Sequence, residues 1–162
     1  MAQKKIKKII SIDRKTTDHF KPVAESDSLD LSEIEAGKVL EWRQVAYIHR
    51  SRNGIYQKNG RLVSLLTDFG RINPCYPDFN GKEGVIEYTG SGRRGNQKLD
   101  LANQALHNAI KTGDAVPLFN KLKVNSWEYL GMWSVSDAAY IFDESHHRMV
   151  WKFTLNLNAL LY

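Results

Sequence analysis

The segment Arg148–Leu157 places apolar side chains at every second position: Met149, Trp151, Phe153, Leu155 and Leu157. A period of two puts all of them on one face of an extended chain, whereas a helix would scatter them around its axis. The segment is therefore expected to be a β-strand. A strand needs partners for its backbone N–H and C=O groups, and the sequence offers several. Leu62–Leu66 is a short apolar run consistent with a buried strand, and Val85–Thr89 is β-branched and aromatic and ends at Gly90. Val116–Phe119, Trp127–Trp133 and Ala138–Phe142 read as further strands between turn residues.

Only one stretch has strong helical spacing. Apolar residues at Leu99, Ala102, Ala105, Leu106, Ala109 and Ile110 form a stripe, with Lys111 in the last turn and Gly113 as a stop signal. Ser32 followed by Glu35 has capping-box spacing and suggests a short helix or turn. The expected fold is α+β: a curled, barrel-like β-sheet with one main helix and short helical decoration. The four tryptophans, Trp42, Trp127, Trp133 and Trp151, read as core. Residues 1–30 are expected to form a basic arm and linker, with the polar, Pro22-containing stretch Thr16–Leu29 as the linker. The domain proper is expected over residues 31–162, a length that suits one core.

Charge is unevenly distributed. Met1–Lys21 holds seven Lys/Arg against two acids, and Pro22–Glu41 one against six. Trp42–Lys111 then holds eleven against five, and Thr112–Tyr162 four against five. A basic tail and a basic central third suit a polyanionic partner, although solvated lysines on a soluble protein would look the same by charge alone. The amino terminus has no continuous apolar core and no apolar run reaches membrane-spanning length, so neither a secretory signal nor a membrane span is expected. Cys75 is the only cysteine. It excludes a disulfide framework and a Cys-based zinc site, and points to a cytoplasmic or, in a eukaryote, nuclear setting. His146 and His147 follow Asp143 and Glu144, but adjacent residues on a hairpin point to opposite faces, so no metal is expected there.

Five glycines fall between Gly81 and Gly95, with Arg93 and Arg94 among them. Glycine at this density permits close approach of backbone to a ligand, and the guanidinium groups can bind phosphate oxygens. The run from Tyr88 through Thr89, Gly90, Ser91, Gly92, Arg93 and Arg94 to Gln97 is followed by a helix carrying Asn103, Ala105 and Leu106. It closely resembles the signature of the SRA (SET- and RING-associated, also called YDG) domain family. Ile48-His49-Arg50 with Gly54-Ile55, the Tyr76-Pro77-Asp78 element, Pro117–Phe119 and Tyr129–Gly131 are similar to flanking elements of that family. The pattern is nearest to bacterial members found with HNH-type nucleases, and the resemblance spans roughly Gly37–Leu157.

The resemblance implies an SRA/PUA-like fold and a reader of modified cytosine, 5-methylcytosine or 5-hydroxymethylcytosine, held after flipping from double-stranded DNA. Tyr76, Asp78, Tyr88, Thr89 and Gly90 would form the base pocket. Ser91, Arg93, Arg94, Gln97, His49 and Arg50 would contact the DNA backbone. The chemistry fits these residue types. Two tyrosine rings can sandwich an extruded base, at roughly 1–3 kcal/mol per stacked contact. An ionised Asp78 accepts from the exocyclic amino group of cytosine but faces a repelling carbonyl oxygen in thymine. Vertebrate-type members carry a long insertion after this motif that probes the opposite strand; Arg93–Lys98 is short here, and Asn96 stands where Asp is frequent. No catalytic residue and no cofactor is expected. A nuclease is expected, if at all, in another domain or a partner, because His-Asn-His, acidic–lysine and zinc-deaminase arrays are lacking. The alternatives are a modification-dependent nuclease component, or a related barrel reader of RNA or of another DNA modification.

Overall fold

The computed structural model describes residues 28–158. The basic stretch Lys4–Ile12 and nearly all of the expected linker lie outside the described residues. A 3-10 turn, Leu31–Glu33, leads to β1 (Val39–Leu40), α1 (Trp42–Ile48), β2 (Ile55–Lys58) and β3 (Arg61–Thr67). Then come β4 (Phe79–Lys82), β5 (Val85–Thr89), α2 (Leu101–Thr112), β6 (Ala115–Lys123), β7 (Ser126–Asp143) and β8 (Arg148–Leu157).

All eight strands belong to one sheet, in the order β2-β3-β6-β7-β8-β5-β4, with β1 paired to β7. Its path begins at β2 and ends at β4, so the sheet is open rather than a closed barrel. β3 and β6 run parallel, Leu65 opposite Leu118, and every other pair is antiparallel. The intervening chain, from β4 to α2, forms the crossover that a parallel pair requires.

Consecutive strand residues face opposite sides of a sheet, and both sides here are apolar. Leu118 joins a cluster with Leu65, Ile86, Tyr88, Leu106, Phe153 and Leu155, into which α2 packs. Phe119 joins a second cluster with Leu29, Leu40, Val45, Trp127 and Tyr129. Leu29 thus packs into the domain ahead of the expected boundary at residue 31.

Strand β8 has the bounds that alternation predicts and β5 those that its β-branched and aromatic content predicts, and α2 ends at Gly113 with φ of 69°, as the stop signal requires. Several expectations are corrected. The turn at Leu31–Glu33 is capped by Asp30, whose carboxylate accepts from the Ser32 amide, and not by Ser32. The two strands expected over Trp127–Phe142 are one, β7, which continues through a register shift between Val135 and Asp137. In β8, Arg148, Val150 and Lys152 are buried while Met149 and Trp151 are only half-buried. The first half of this strand is covered on both faces, because the loop after β5 and the segment before β4 lie against it. Trp127 and Trp133 are buried, and Trp42 and Trp151 partly so.

Candidate nucleic-acid interface

Strand β5 ends where the chain must turn sharply. Gly90 has no room for a side chain: a Cβ there would lie 2.6 Å from Asn103 Oδ1 and 2.9 Å from Trp151 Cβ. Gly92 has φ of +122°, which disfavours any other residue. The loop they form is tied from within. The Asn103 carboxamide accepts from Ser91 N–H at 2.7 Å and donates to the Ser91 and Lys98 carbonyls at 3.0 and 2.7 Å. Gln97 Nε2 donates to the Gly90 carbonyl at 2.7 Å, and its Oε1 accepts from Trp151 N–H at 2.8 Å.

Beside this loop lies a cleft of about 880 Å³. Tyr76, Asp78, Tyr88, Thr89, Gly90, Ser91 and Arg93 all line it, so the structure brings together the five expected pocket residues and two of the expected backbone contacts. Tyr88 is only 3% exposed and belongs to the core. Its hydroxyl is shared between the carbonyls of Leu66 (2.9 Å) and Gly54 (3.2 Å), which fixes the ring as an immobile wall. Burial holds its phenol well above the ordinary value. Tyr76 is half-buried, and its hydroxyl meets the Gly92 backbone.

Asp78 is 9% exposed. One carboxylate oxygen accepts from the Thr67 hydroxyl and the other from Thr89 N–H, both at 2.6 Å. A carboxylate has about four acceptor sites, so capacity remains for a ligand amino group. Burial pushes its pKa up to about 6, while the Thr67 and Thr89 hydrogen bonds and the Lys152 ammonium favour the ionised form. The group is therefore mainly an acceptor at neutral pH.

Two cations behind the cleft escaped the reading of the sequence. Lys152 Nζ donates to Thr89 Oγ1 at 2.7 Å and to the Pro77 carbonyl at 2.9 Å. Burial lowers its pKa, against the opposing pull of Asp78, Glu87 and Asp143. Arg148 is 4% exposed; its Nη1 donates to the Gly92 carbonyl at 2.6 Å and its Nη2 to that of Cys75 at 2.7 Å. It thereby joins the glycine loop to the Tyr76 segment. The one available signal was their spacing, two cations four apart on a strand, hence on one face.

Two expected backbone contacts are corrected. His49 is fully buried: its Nε2–H donates to the Asn53 carbonyl at 2.6 Å and its Nδ1 accepts from the Ser64 hydroxyl at 2.7 Å. Burial lowers its pKa, consistent with a neutral ring. Gln97 is likewise buried and used up in bracing the loop. Neither side chain can reach a phosphate. Arg94 is exposed but does not line the cleft, and exposed Arg50 lines a shallower depression of about 490 Å³ that also touches Ser91. Asn103 buttresses the loop, whereas Gln104 is exposed and its side-chain Nε2 donates to the Leu99 carbonyl at 2.8 Å. His146 pairs with Asp143 at 2.9 Å. Among the described residues no group of three or more His, Cys, Asp or Glu is placed to hold a metal ion.

A family model described as "ScoMcrA-like, SRA domain" matches residues 37–157. No curated protein matches the chain. Among solved structures, the SUVH5 SRA domain in complex with hemimethylated CG DNA is similar at 25% identity and a TM-score of 0.68. The match covers 82% of this chain and 94% of that one. The SUVH5 SRA domain bound to fully hydroxymethylated CG DNA is similar at 25% identity and a TM-score of 0.64, with the same coverage. The modification-dependent restriction endonuclease TagI shares the fold, at 19% identity and a TM-score of 0.65. The match takes in 80% of this chain and 52% of TagI.

Proposed function

The chain belongs to the SRA domain family, and from that premise we propose that it is a DNA-binding reader that flips a modified cytosine into the cleft beside β5. The observation that carries this reading is the floor of that cleft. Asp78 presents a carboxylate with spare acceptor capacity, held between Thr67 and Thr89 and backed by Lys152. An acceptor there matches the amino group of cytosine and repels the carbonyl oxygen of thymine. Tyr88 supplies a fixed wall and Tyr76 a second ring on the same cleft. The 5-substituent is received along the cleft wall at Thr89 and Gly90. Burying one added carbon is worth only ~0.8 kcal/mol, so 5-methyl and 5-hydroxymethyl groups are both accepted and modestly favoured over hydrogen.

Arg93, Arg94 and Arg50 are exposed around this region and hold backbone phosphates, which position the duplex without reading it. The chain acts as a binding module, and a cleaving activity belongs to another domain or a partner. The likeness to TagI, which is about twice the length the match covers, supports that arrangement.

Duplexes identical except for cytosine, 5-methylcytosine, 5-hydroxymethylcytosine, its glucosylated form or thymine at one position test the reading, with a fluorescent base analogue beside the target. Preference for the modified cytosines, with brightening of the probe on binding, is expected. Tight binding with no preference among the five and no change in the probe would overturn it.

A further inference from the structure

The cleft is larger than one flat base requires, and part of its wall comes from elements the base pocket does not use. Trp42, Lys121, Val124, Asn125 and Trp127 also line it. Val124 and Asn125 are the two-residue connection between β6 and β7. Val124 is 87% exposed, the most exposed large apolar side chain among the described residues.

A single exposed valine is ordinary on a protein surface. What distinguishes this one is its support and its company. Asn125 has φ of 57°, and its side-chain oxygen accepts from Trp42 N–H at 2.9 Å. The Trp42 ring packs on Trp127 at 5.2 Å, and the Lys121 ammonium lies 5.7 Å from the Trp127 ring centre. Arg71 Nη2 donates to the Lys121 carbonyl at 2.7 Å, which steadies the end of β6. The turn is therefore held out from the domain as a stiff knuckle with an apolar tip. Lys121 and Lys123 flank it, and Arg52 lines the same cleft. An apolar tip among cations on the rim of the cleft matches a nucleic acid, whose phosphates meet the cations and whose stacked bases meet the tip.

A flipped base leaves a gap in its stack. Proteins that distort DNA commonly insert apolar side chains at opened base steps. We propose that the Val124–Asn125 turn is a second DNA-contacting element, with Val124 seated in the groove against the base pair beside the extruded nucleotide and Lys121 and Lys123 on the adjoining phosphates. The inference rests on the flipping reading given above.

The test uses the full chain carrying Val124→Ala, Val124→Met or Val124→Asp, with a modified duplex bearing the fluorescent analogue next to the target. Val124→Ala removes two buried carbons, so affinity is expected to fall about tenfold and the probe to brighten less. Val124→Met is expected to retain binding, and Val124→Asp to bind more weakly than Val124→Ala because a carboxylate meets phosphates. Melting temperatures should match the unaltered protein, since the side chain is exposed. If the unaltered protein distinguishes modified from plain duplex while both Val124→Ala and Val124→Asp bind as it does, the knuckle is overturned and the pocket stands. If the unaltered protein shows no such preference, the flipping reading fails and the knuckle falls with it.

Discussion

Arg148 and Arg93 stand on two sides of one glycine loop and do opposite work. Arg148 is buried under the loop and donates to the carbonyls of Gly92 and Cys75, whereas Arg93 is exposed on the cleft rim. The same contrast separates Lys152, wedged against Thr89 and Pro77, from Lys123 on the outer turn. Charge near a cleft thus has two uses here. Buried cations give the pocket its shape by satisfying carbonyls that two loops leave over; exposed ones meet the polyanion.

The sharpest way to break this contrast is to remove the inner arginine. Arg148→Met leaves the Gly92 and Cys75 carbonyls without their charged donor, and hydrogen bonds to charged groups contribute about 1.5–3 kcal/mol each. A loss of about 3 kcal/mol in chemical denaturation is expected, together with loss of the preference for modified duplex. A stable variant with intact preference would show that the loops need no such tie.

Asp78 belongs to the inner set and is also the proposed reader. Asp78→Ala is expected to lower the ratio of modified to plain affinity at least about tenfold, the value of one charge-assisted hydrogen bond. A melt on the same sample checks that Thr67 and Thr89, stripped of their partner, still hold the fold. Equal weakening on both duplexes would place Asp78 outside recognition.

Acidity separates the two uses of that carboxylate. Its pKa is raised from 3.8 to about 6. Its contribution to folding is therefore complete below 3.8 and is lost as pH rises through about 6. Binding has the opposite sign, because accepting from the amino group requires the ionised form. Affinity for the modified duplex should be full above about pH 6 and fall up to about tenfold by pH 5. A profile that stays flat in the unaltered protein, or that persists in Asp78→Ala, would assign the titration to another group.

The smallest effect on recognition is expected from the rim. Arg93→Ala with Arg94→Ala should reduce the slope of log affinity against log salt by up to about 1.8, at ~0.9 per phosphate contact. The ratio of modified to plain affinity should barely change. A large change in that ratio would move one of these arginines from the rim into the reading of the base.

Legibility in the sequence followed the range of the interactions. Alternation, β-branched content and the Gly113 stop are local, and they located β8, β5 and the end of α2. The motif around Tyr88 and the Tyr76-Pro77-Asp78 element converge on one cleft in the structure. Helix α1, only seven residues long, was missed. It has Glu41 and Gln44 in a reciprocal cap but no apolar stripe long enough to show a period. Strand β4 was missed too, because all four of its residues are exposed at the sheet's end and carry no alternation.

What the sequence by itself determined is the family, the strand-rich architecture and seven of the residues that line the cleft, since each is written in short-range pattern. What only the tertiary structure decided is which side chains are spent inside. Arg148 meets the Cys75 carbonyl and Lys152 that of Pro77, across 73 and 75 positions of chain. His49 and Gln97, which read as phosphate contacts, are drawn inward by the Ser64 hydroxyl and the Trp151 amide. A buried carbonyl or hydroxyl must find a partner, and which residue supplies it depends on the strands that the sheet happens to bring together.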